Sequence, residues 1–499
     1  MPSSKSVIVI GAGIAGLSAG IYAQMNGYHS RIFEMHNLPG GLMTAWKRKG
    51  YTIDGCIHWL TGSSPKDPTF YRWWQETGLI QGREIFDPEE FVRVEGTHGE
   101  VLHLYCDVER LEPHLLELAP EDRAAIREMC SAIRAFTHYR IAAAESFWDR
   151  ARSLFNLLPV FPSLMKWGRL TMADLAGKFK NPFLRKTFHD LWYPSMSCIG
   201  LMMTLAMMHN RTAGYTMGGS LPMALAVEKR YRDLGGQIQY NARVSRIIVE
   251  NNRAAGVRLE DGREERADVV ISAADGYATL YQMLEGRYRD PKLDEMYRSG
   301  EIFQPLVFIG LGVNRTFPEL PGLTGGLVIQ LDEPFYVAGK PVHQVEAMIY
   351  NFDPSLAPPG KTVLTVMIPT EYAYWKNLYG DGSDCEQYEA EKQRVALEVI
   401  RVLDRRFAGL AEQVEMADVA TPLTFERYTG NWQGSFEGWL PTPKTVTQAL
   451  PKTLPGLENF YMVGQWVQPG GGLPSGVMTG REVIQRMCKQ DGIKFTTVV

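Results

Sequence analysis

The sequence predicts an α/β protein in which a parallel-sheet domain, assembled from discontinuous segments, carries an inserted α+β domain with an antiparallel sheet and a helical cap. Three observations support this fold class. A β-branched run at 7–10 leads through a glycine-rich turn into a predicted helix. Further buried strands are predicted at 267–272 and 460–463, and the second of these precedes another glycine-rich turn and helix. Between them, apolar strands at 305–313 and 362–368 indicate a second sheet.

The first turn has the spacing of a dinucleotide-binding fingerprint. Gly11, Gly13 and Gly16 form G-x-G-x-x-G before a helix predicted at 15–25. Gly11 permits the tight turn, Gly13 lets a pyrophosphate approach the backbone, and Gly16 lets the helix pack closely on the strand. Glu34 ends a second strand, 18 residues after Gly16, near the spacing of a ribose 2′-hydroxyl ligand. We therefore predict a Rossmann-like dinucleotide site that does not prefer NADP; the alternative is a glycine-rich turn without a ligand.

Composition limits the class of protein. The 499 residues suggest two or three domains, and 45% apolar with 22% charged residues indicates a globular protein. A net charge of −4 gives no general attraction to nucleic acid, so no nucleic-acid partner is expected. The six cysteines contain no C-x-x-C motif, which argues for a reducing compartment. The first strand begins near Ser6, and no uncharged run is long enough to span a bilayer, so we expect a cytoplasmic protein, at most peripheral on a membrane.

A glycine pair follows the predicted ribose ligand. Gly40 and Gly41 stand where a plain dinucleotide domain would begin another βα unit. Adjacent glycines let the backbone pass close beside an extended ligand, although a simple turn is the alternative. The pair therefore extends the predicted site beyond the fingerprint.

Together these motifs resemble the flavoprotein family of bacterial-type phytoene desaturases, carotenoid isomerases and retinol saturases, within the wider amine-oxidase-like group. The resemblance covers nearly the whole chain. After the glycine pair comes the family's G-Y-x-x-D-x-G pattern, here Gly50-Tyr51-Thr52-Ile53-Asp54 running straight into Gly55. The later matching segments are 214–219, Val244, 267–273, 459–464 and 469–474. The resemblance implies FAD as the cofactor.

The resemblance also assigns the residues that bind FAD. The backbone of Val244 would contact the adenine, and 473–476 would lie near the pyrimidine edge of the flavin, with a helix beginning at about Val477. A helix N-terminus there would stabilise the negative charge that develops at flavin N1/O2. The expected cofactor-binding residues are Gly11, Gly13, Ala15, Gly16, Glu34, Met35, Gly40, Gly41, Leu42, Val244, Ala273, Gly464, Leu473, Pro474, Ser475, Gly476 and Val477.

Two positions depart from the pattern of the relatives. Leu42 stands where they often place an arginine near the pyrophosphate. Helix and backbone dipoles would then have to balance the phosphate charge. Gln465 follows Gly464, where amine oxidases carry a glutamate, which weakens an amine-oxidase interpretation.

The motifs also suggest domain boundaries. We expect an FAD-binding domain and a substrate-binding domain whose helical region could face a membrane. The FAD-binding domain would comprise 1–65, 218–282 and 440–499, the substrate-binding domain 66–217 and 283–439, and the helical region 110–215.

The catalytic side chain is less evident than the cofactor site. A flavin carries the difficult chemistry itself, so no nucleophile, triad or metal motif is required. His58 follows the glycine pair and is a candidate proton donor, although a packing histidine is the stronger alternative. The segment 424–432 is a candidate wall of the site, in which Glu426 and Arg427 could equally be an ordinary surface pair.

A basic, aromatic segment is the remaining signal. Residues 146–189 hold eight Lys or Arg against two Asp, interleaved with aromatic side chains. This pattern suits contact with an anionic bilayer surface. The alternative is a helical cap that packs on its own core with snorkelling basic side chains.

These observations lead to one functional hypothesis and two alternatives. We expect an FAD-dependent oxidoreductase acting on C–C or C=C bonds of a long apolar lipid, a polyene or isoprenoid. It would be a desaturase, a saturase or an isomerase, exchanging hydride with flavin N5. The alternatives are an amine or amino-acid oxidase, and a flavin-bearing membrane or assembly factor without turnover.

Overall fold

A five-stranded parallel sheet lies at the centre of the molecule. The computed structural model describes residues 5–139, 158–382 and 385–499. In spatial order, the strands of this sheet are Gln237–Gln239, His29–Phe33, Ser6–Ile10, Val269–Ser272 and Phe460–Met462. The two strands predicted at 267–272 and 460–463 therefore belong to this sheet and pair with each other, although they lie far apart in the chain. The observed α/β architecture agrees with the predicted fold class at this level.

Three helices flank the parallel sheet: Ile14–Met25, Ser220–Asp233 and Gly472–Gln490. The last helix begins at Gly472 and not at about Val477 as the sequence predicts. Pro474 lies in its first turn, where a missing N–H costs nothing because that N–H would have no partner inside the helix. The start of this helix is therefore formed by the glycine-rich loop itself.

A larger mixed sheet stands beside the parallel one. Its seven strands are, in order, Val414–Ala420, Leu306–Val313, Thr362–Pro369, Lys340–Ile349, Leu327–Val337, Glu90–Glu95 and Val101–Tyr105. All pairings are antiparallel except the one between Leu327–Ile329 and Arg93–Glu95, so the prediction of an antiparallel sheet is corrected at this point. The parallel pairing arises because the hairpin of the last two strands comes from a distant part of the chain, and no tight turn fixes its direction. The helix Glu386–Arg406 covers one face through Val395, Val399 and Val402.

A helical layer covers the end of this sheet. Its helices are Val108–Leu118, Arg123–Thr137, Phe161–Trp167, Met172–Ala176, Pro182–Asp190 and Ile199–His209. We call this layer the cap. It has its own apolar core, which includes Trp167, Phe179 and Phe188. The region predicted as helical at 110–215 ends in a strand, Ala213–Thr216, that pairs with Leu60–Thr61 and Ile85–Phe86.

Smaller elements complete the described part of the chain. The remaining strands are Ala45–Arg48 with Tyr51–Asp54, and Val244–Glu250, Arg253–Leu259 and Glu264–Arg266. The remaining helices of at least four residues are Pro68–Glu76, Ala278–Met283, Pro291–Ser299, Tyr372–Tyr379, Leu410–Gln413 and Pro422–Thr429. Within the described parts of the chain, no helix has the length and apolar character that crossing a bilayer requires.

Candidate active site

A cavity of about 1990 Å³ opens at the carboxyl edge of the parallel sheet. Gly11, Glu34, Ala273 and Gly464 each follow one of its strands and line this cavity. The carboxyl edge is where open α/β sheets bind ligands. The cavity then extends between the seven-stranded sheet and the cap.

The cavity brings together residues that are far apart in sequence. All but three of the expected cofactor-binding residues line it, namely Gly11, Gly13, Ala15, Glu34, Met35, Gly40, Gly41, Leu42, Val244, Ala273, Gly464, Leu473, Pro474 and Gly476. Gly16, Ser475 and Val477 lie behind the wall. A Cβ on Gly16 would overlap the carbonyl oxygen of Gly11, so Gly16 acts by close packing. The Ser475 carbonyl accepts a hydrogen bond from Thr479, and Val477 is fully buried.

The glycines of the first turn and of the glycine pair form a cradle of bare backbone. Gly40 donates a backbone hydrogen bond to Ala12 and lies opposite Gly13. An ideal Cβ on Gly13 would meet only the Gly40 carbonyl oxygen, at 3.8 Å. The helix Ile14–Met25 begins here with no side-chain cap and no acidic residue in its first turn. Its free N–H groups and open backbone fit the pyrophosphate of a dinucleotide.

Glu34 lies at the edge of this cradle. Its carboxylate accepts backbone hydrogen bonds from Ala12 at 2.6 Å and from His36 at 2.8 Å. Burial raises the pKa of Glu34, while the two N–H donors oppose that shift. Each carboxylate oxygen holds one N–H and keeps a second lone pair for a ribose hydroxyl.

Asp54, the acid of the G-Y-x-x-D-x-G pattern, connects two segments of the chain by hydrogen bonds. Its buried carboxylate accepts hydrogen bonds from the backbone and hydroxyl of Ser220, at the start of the helix Ser220–Asp233. It also accepts from the backbone N–H groups of Cys56 and Ile57, at 2.9 and 3.0 Å. Burial raises the pKa of Asp54, against the effect of these donors. Asp54 thus fixes the loop that brings the next residue, His58, to the cavity.

His58 lines the cavity, and desolvation affects its ionisation. Burial lowers the pKa of His58 to about 4. In the described part of the chain, no group hydrogen-bonds the imidazole, and the nearest aromatic ring is that of Trp59, at 6.3 Å between centroids. Desolvation favours the neutral ring, which argues against a His58 proton donor near neutral pH, and the role of His58 stays a prediction.

Among the acids that line the cavity and that the sequence analysis did not select, Asp275, Glu346 and Glu437 have pKa values raised by burial. Burial raises the pKa of Asp275 and of Glu346 to about 7, and that of Glu437 to about 8. Asp275 accepts backbone hydrogen bonds from Ala278 at 2.7 Å and Trp432 at 2.8 Å. Asp275 follows the strand Val269–Ser272 and Ala273–Ala274, so its place in the sequence could have identified it as a residue at the carboxyl edge of the sheet. No comparable signal marks Glu346 or Glu437.

The segment 424–432 lines the cavity, in agreement with its interpretation as a wall. Glu426 accepts a hydrogen bond from the hydroxyl of Tyr372, at 2.8 Å, and so connects this wall to the helix Tyr372–Tyr379. Because Glu426 contacts a neighbouring helix, it does not simply form a surface pair with Arg427.

Comparisons with known proteins agree with this geometry. Residues 14–488 match the model of the family described as flavin-containing amine oxidoreductase. Among curated proteins, a chloroplastic prolycopene isomerase of Arabidopsis thaliana is 24% identical, over 99% of this chain and 84% of its own length. A lycopene-forming phytoene desaturase of a Paracoccus species is 24% identical, over 97% of this chain and 98% of its own length. Among solved structures, cyclohexylamine oxidase from Brevibacterium oxydans has a TM-score of 0.62 at 14% identity, covering 98% of this chain and 100% of its own; it shares the fold.

Proposed function

The chain belongs to the flavin-containing amine oxidoreductase family, and from this premise we propose that it is an FAD-dependent oxidoreductase of polyene or isoprenoid lipids, acting on C–C or C=C bonds. The observation that carries the proposal is the continuous cavity, which begins at the glycine cradle and continues between apolar walls. The similarity to carotenoid isomerases and desaturases over almost the whole chain supports the same substrate class.

The glycine cradle and the C-terminal helix would hold the cofactor. The Gly13–Gly40 backbone and the first turn of Ile14–Met25 would bind the pyrophosphate, and Glu34 the ribose. The start of Gly472–Gln490 has no side-chain cap and would face the flavin. When bound, FAD accepts or returns a hydride. We further propose that 1–65, 218–282 and 440–499 form the FAD-binding domain, with the remainder binding the substrate.

Apolar side chains would hold the substrate. Beyond the cradle, they come from the sheet, the cap and the wall segment, and include Trp59, Phe91, Trp192, Met196, Phe303, Leu306, Phe308, Met367, Phe425 and Phe436. Such a surface binds a long hydrocarbon by removing it from water.

Cofactor and lipid can be identified in one preparation. We expect denatured protein to release about one FAD per chain, and solvent extraction followed by mass spectrometry to recover a polyene or isoprenoid. Phytoene dispersed in liposomes should reduce the flavin under anaerobic conditions if the enzyme desaturates. Recovery of FMN or NADP would contradict the cofactor assignment. Peroxide release on addition of putrescine, with no response to phytoene, would favour the amine-oxidase alternative.

We also propose peripheral membrane contact at the cap, through the helix Phe161–Trp167 and exposed residues on either side of it. Within the segment 146–189, residues 146–157 lie outside the described part of the chain. Of the described aromatics, Trp167, Phe179, Phe183 and Phe188 are buried in the cap core, as the alternative expected. Leu158 and Phe161 are 65% and 47% exposed, and Met165 is exposed beside them. These three exposed apolar side chains suit contact with a bilayer surface. Arg169 and Lys180, which follow them in the sequence, are exposed as well and would attract anionic lipids.

Flotation with liposomes tests this contact. Lys166 and Lys178 both pair with Glu128, so their reversal would also disturb the cap. The better variant is Arg169→Glu with Lys180→Glu, which should weaken binding to anionic liposomes because each basic residue contributes at most about 1 kcal/mol, screened by salt. Phe161→Ser should weaken binding further, whereas Tyr336→Ser, at another exposed aromatic, should not. Binding that ignores lipid charge and all these changes would contradict membrane contact.

A further inference from the structure

Two carboxyl groups face the cavity without a partner. Among the residues that the structure describes, Glu346 and Glu437 have neither an ion pair nor a side-chain hydrogen bond, and burial alone shifts their pKa values. Polar groups in protein interiors are normally hydrogen-bonded, so each exception needs an explanation. Unpaired acids inside a ligand cavity are typical of catalytic sites.

Glu437 is the one that packs against the loop that precedes the C-terminal helix. A Cβ on Gly471 would overlap the main chain and Cγ of Glu437, and a Cβ on Gly472 would lie 3.2 Å from its Oε1. Both glycines have positive φ, +51° and +73°. The loop is therefore shaped around the Glu437 side chain, which lies beside the first residue of the helix expected to face the flavin. Glu346 projects instead from the middle of the strand Lys340–Ile349 in the seven-stranded sheet.

Two other ionisable groups that line the cavity, Asp275 and His58, are less suited to exchange protons. The two oxygens of Asp275 hold the backbone N–H groups of Ala278 and Trp432. His58 is a weak base, since its pKa is about 4. The groups that face Glu437 are the Cys56 thiol and the Tyr193 phenol, whose pKa values are raised by burial and, further, by the Glu437 charge; Glu346 acts on Tyr193 in the same direction.

We propose that Glu437 is the catalytic residue that exchanges the proton accompanying hydride transfer. The inference rests on the proposed function. In desaturation, one substrate C–H bond breaks to give a hydride, which FAD accepts, and the adjacent C–H bond gives its proton to the Glu437 carboxylate while a C=C bond forms. In saturation, the hydride would return from the flavin and the proton from the Glu437 carboxyl to the two carbons of the double bond. A hydrocarbon has no basic group of its own, so the protein must supply the proton acceptor.

A pH titration of the FAD-bound enzyme without substrate tests this role. Burial raises the pKa of Glu437 to about 8, and loss of its proton places a negative charge beside the flavin. The visible spectrum of the wild-type holoenzyme should therefore change in one transition near that pH. The transition should be absent in Glu437→Gln, retained with a shifted midpoint in Glu437→Asp, and unchanged in the control Glu482→Gln, at an exposed position of the helix Gly472–Gln490. FAD content and thermal midpoint would confirm that each variant is folded.

Single-turnover reduction by phytoene in liposomes provides the second readout. The wild-type rate should rise with pH through the same transition, because only the carboxylate accepts a proton. Glu437→Gln should lower the rate by about 100-fold or more and remove this pH dependence. A spectral transition that is missing from the wild type, or that persists in Glu437→Gln, would overturn the proposal. If phytoene fails to reduce the wild type while the transition is lost only in Glu437→Gln, the substrate assignment fails and Glu437 is still supported.

Discussion

At the scale of single residues, the three fingerprint glycines are required for different reasons. Gly11 has a φ of +95°, which a side chain disfavours, and Gly16 packs against the Gly11 carbonyl. Gly13 has an ordinary φ of −67° and open space beside it. The protein therefore needs no glycine at position 13 in order to fold, and the requirement there comes from the ligand.

This difference predicts opposite outcomes for two substitutions. Gly13→Ala should weaken FAD binding by about tenfold or more and leave the thermal midpoint of the apoprotein nearly unchanged, because its Cβ occupies only the cradle. Gly16→Ala should destabilise the apoprotein by about 1–3 kcal/mol through overpacking against backbone. Equilibrium dialysis of FAD and urea unfolding of both apoproteins measure the two effects. Tight FAD binding by Gly13→Ala would show that the cradle is misplaced.

At the scale of elements, the first and last helices meet through glycines. A Cβ on Gly476 would lie 2.6 Å from a methyl carbon of Ile14, and one on Gly480 would lie 2.8 Å from the backbone nitrogen of Ala19. The close contact brings the N-termini of Ile14–Met25 and Gly472–Gln490 to the same cavity. Helix packing and cofactor geometry are thus coupled.

Separation of these helices should affect both stability and the cofactor. We expect Gly480→Val to destabilise the protein by about 1–3 kcal/mol or more and to lower FAD content in parallel, because it forces the two helix N-termini apart. Arg486→Ala, on the exposed face of the same helix, is the control and should change neither quantity. Urea unfolding and the FAD-to-protein ratio are the measurements. Full FAD content in a clearly destabilised Gly480→Val would refute the coupling.

At the scale of the whole molecule, a buried polar network joins three helices. Glu76, at the end of Pro68–Glu76, accepts a hydrogen bond from the Tyr22 hydroxyl at 2.8 Å. Its Oε2 also lies 3.6 Å from Nε of Arg481. Both charged side chains are almost fully buried, with relative exposures of 0% for Glu76 and 4% for Arg481. The Arg481 guanidinium also lies 4.9 Å from the Phe495 ring centroid. The network connects the first and last helices with the segment that follows the glycine pair.

Loss of one member of this network should be costly. Glu76→Leu should destabilise the protein by about 3–5 kcal/mol, because Arg481 then keeps a buried charge without its carboxylate. The double variant Glu76→Leu with Arg481→Met should recover part of the loss, since among the described residues the only charge then left without Glu76 is that of Arg72, whose side chain is 52% exposed. A double-mutant cycle from urea unfolding measures the coupling. Additive effects of the two changes would show that the pair does not interact.

Local spacing made much of the fold predictable. The strands His29–Phe33 and Val244–Glu250 begin and end where the sequence predicts, because alternation and turn residues act over a few positions. The start of Gly472–Gln490 was predicted too late, since glycines and a proline disfavour a helix locally while the contact with the first helix stabilises one there. Tertiary packing outweighed the local preference.

The sequence alone therefore determined the βα fingerprint, the discontinuous origin of the parallel sheet and the family resemblance, because each depends on residue spacing or order along the chain. The tertiary structure decided which groups face the cavity and in which ionisation state. Burial lowers the pKa of His58, Asp275 is held by backbone donors, and Glu346 and Glu437 have no partner among the described residues. Each of these features depends on segments that are distant in sequence. Desolvation depends on every neighbour in space, so no local pattern encodes it.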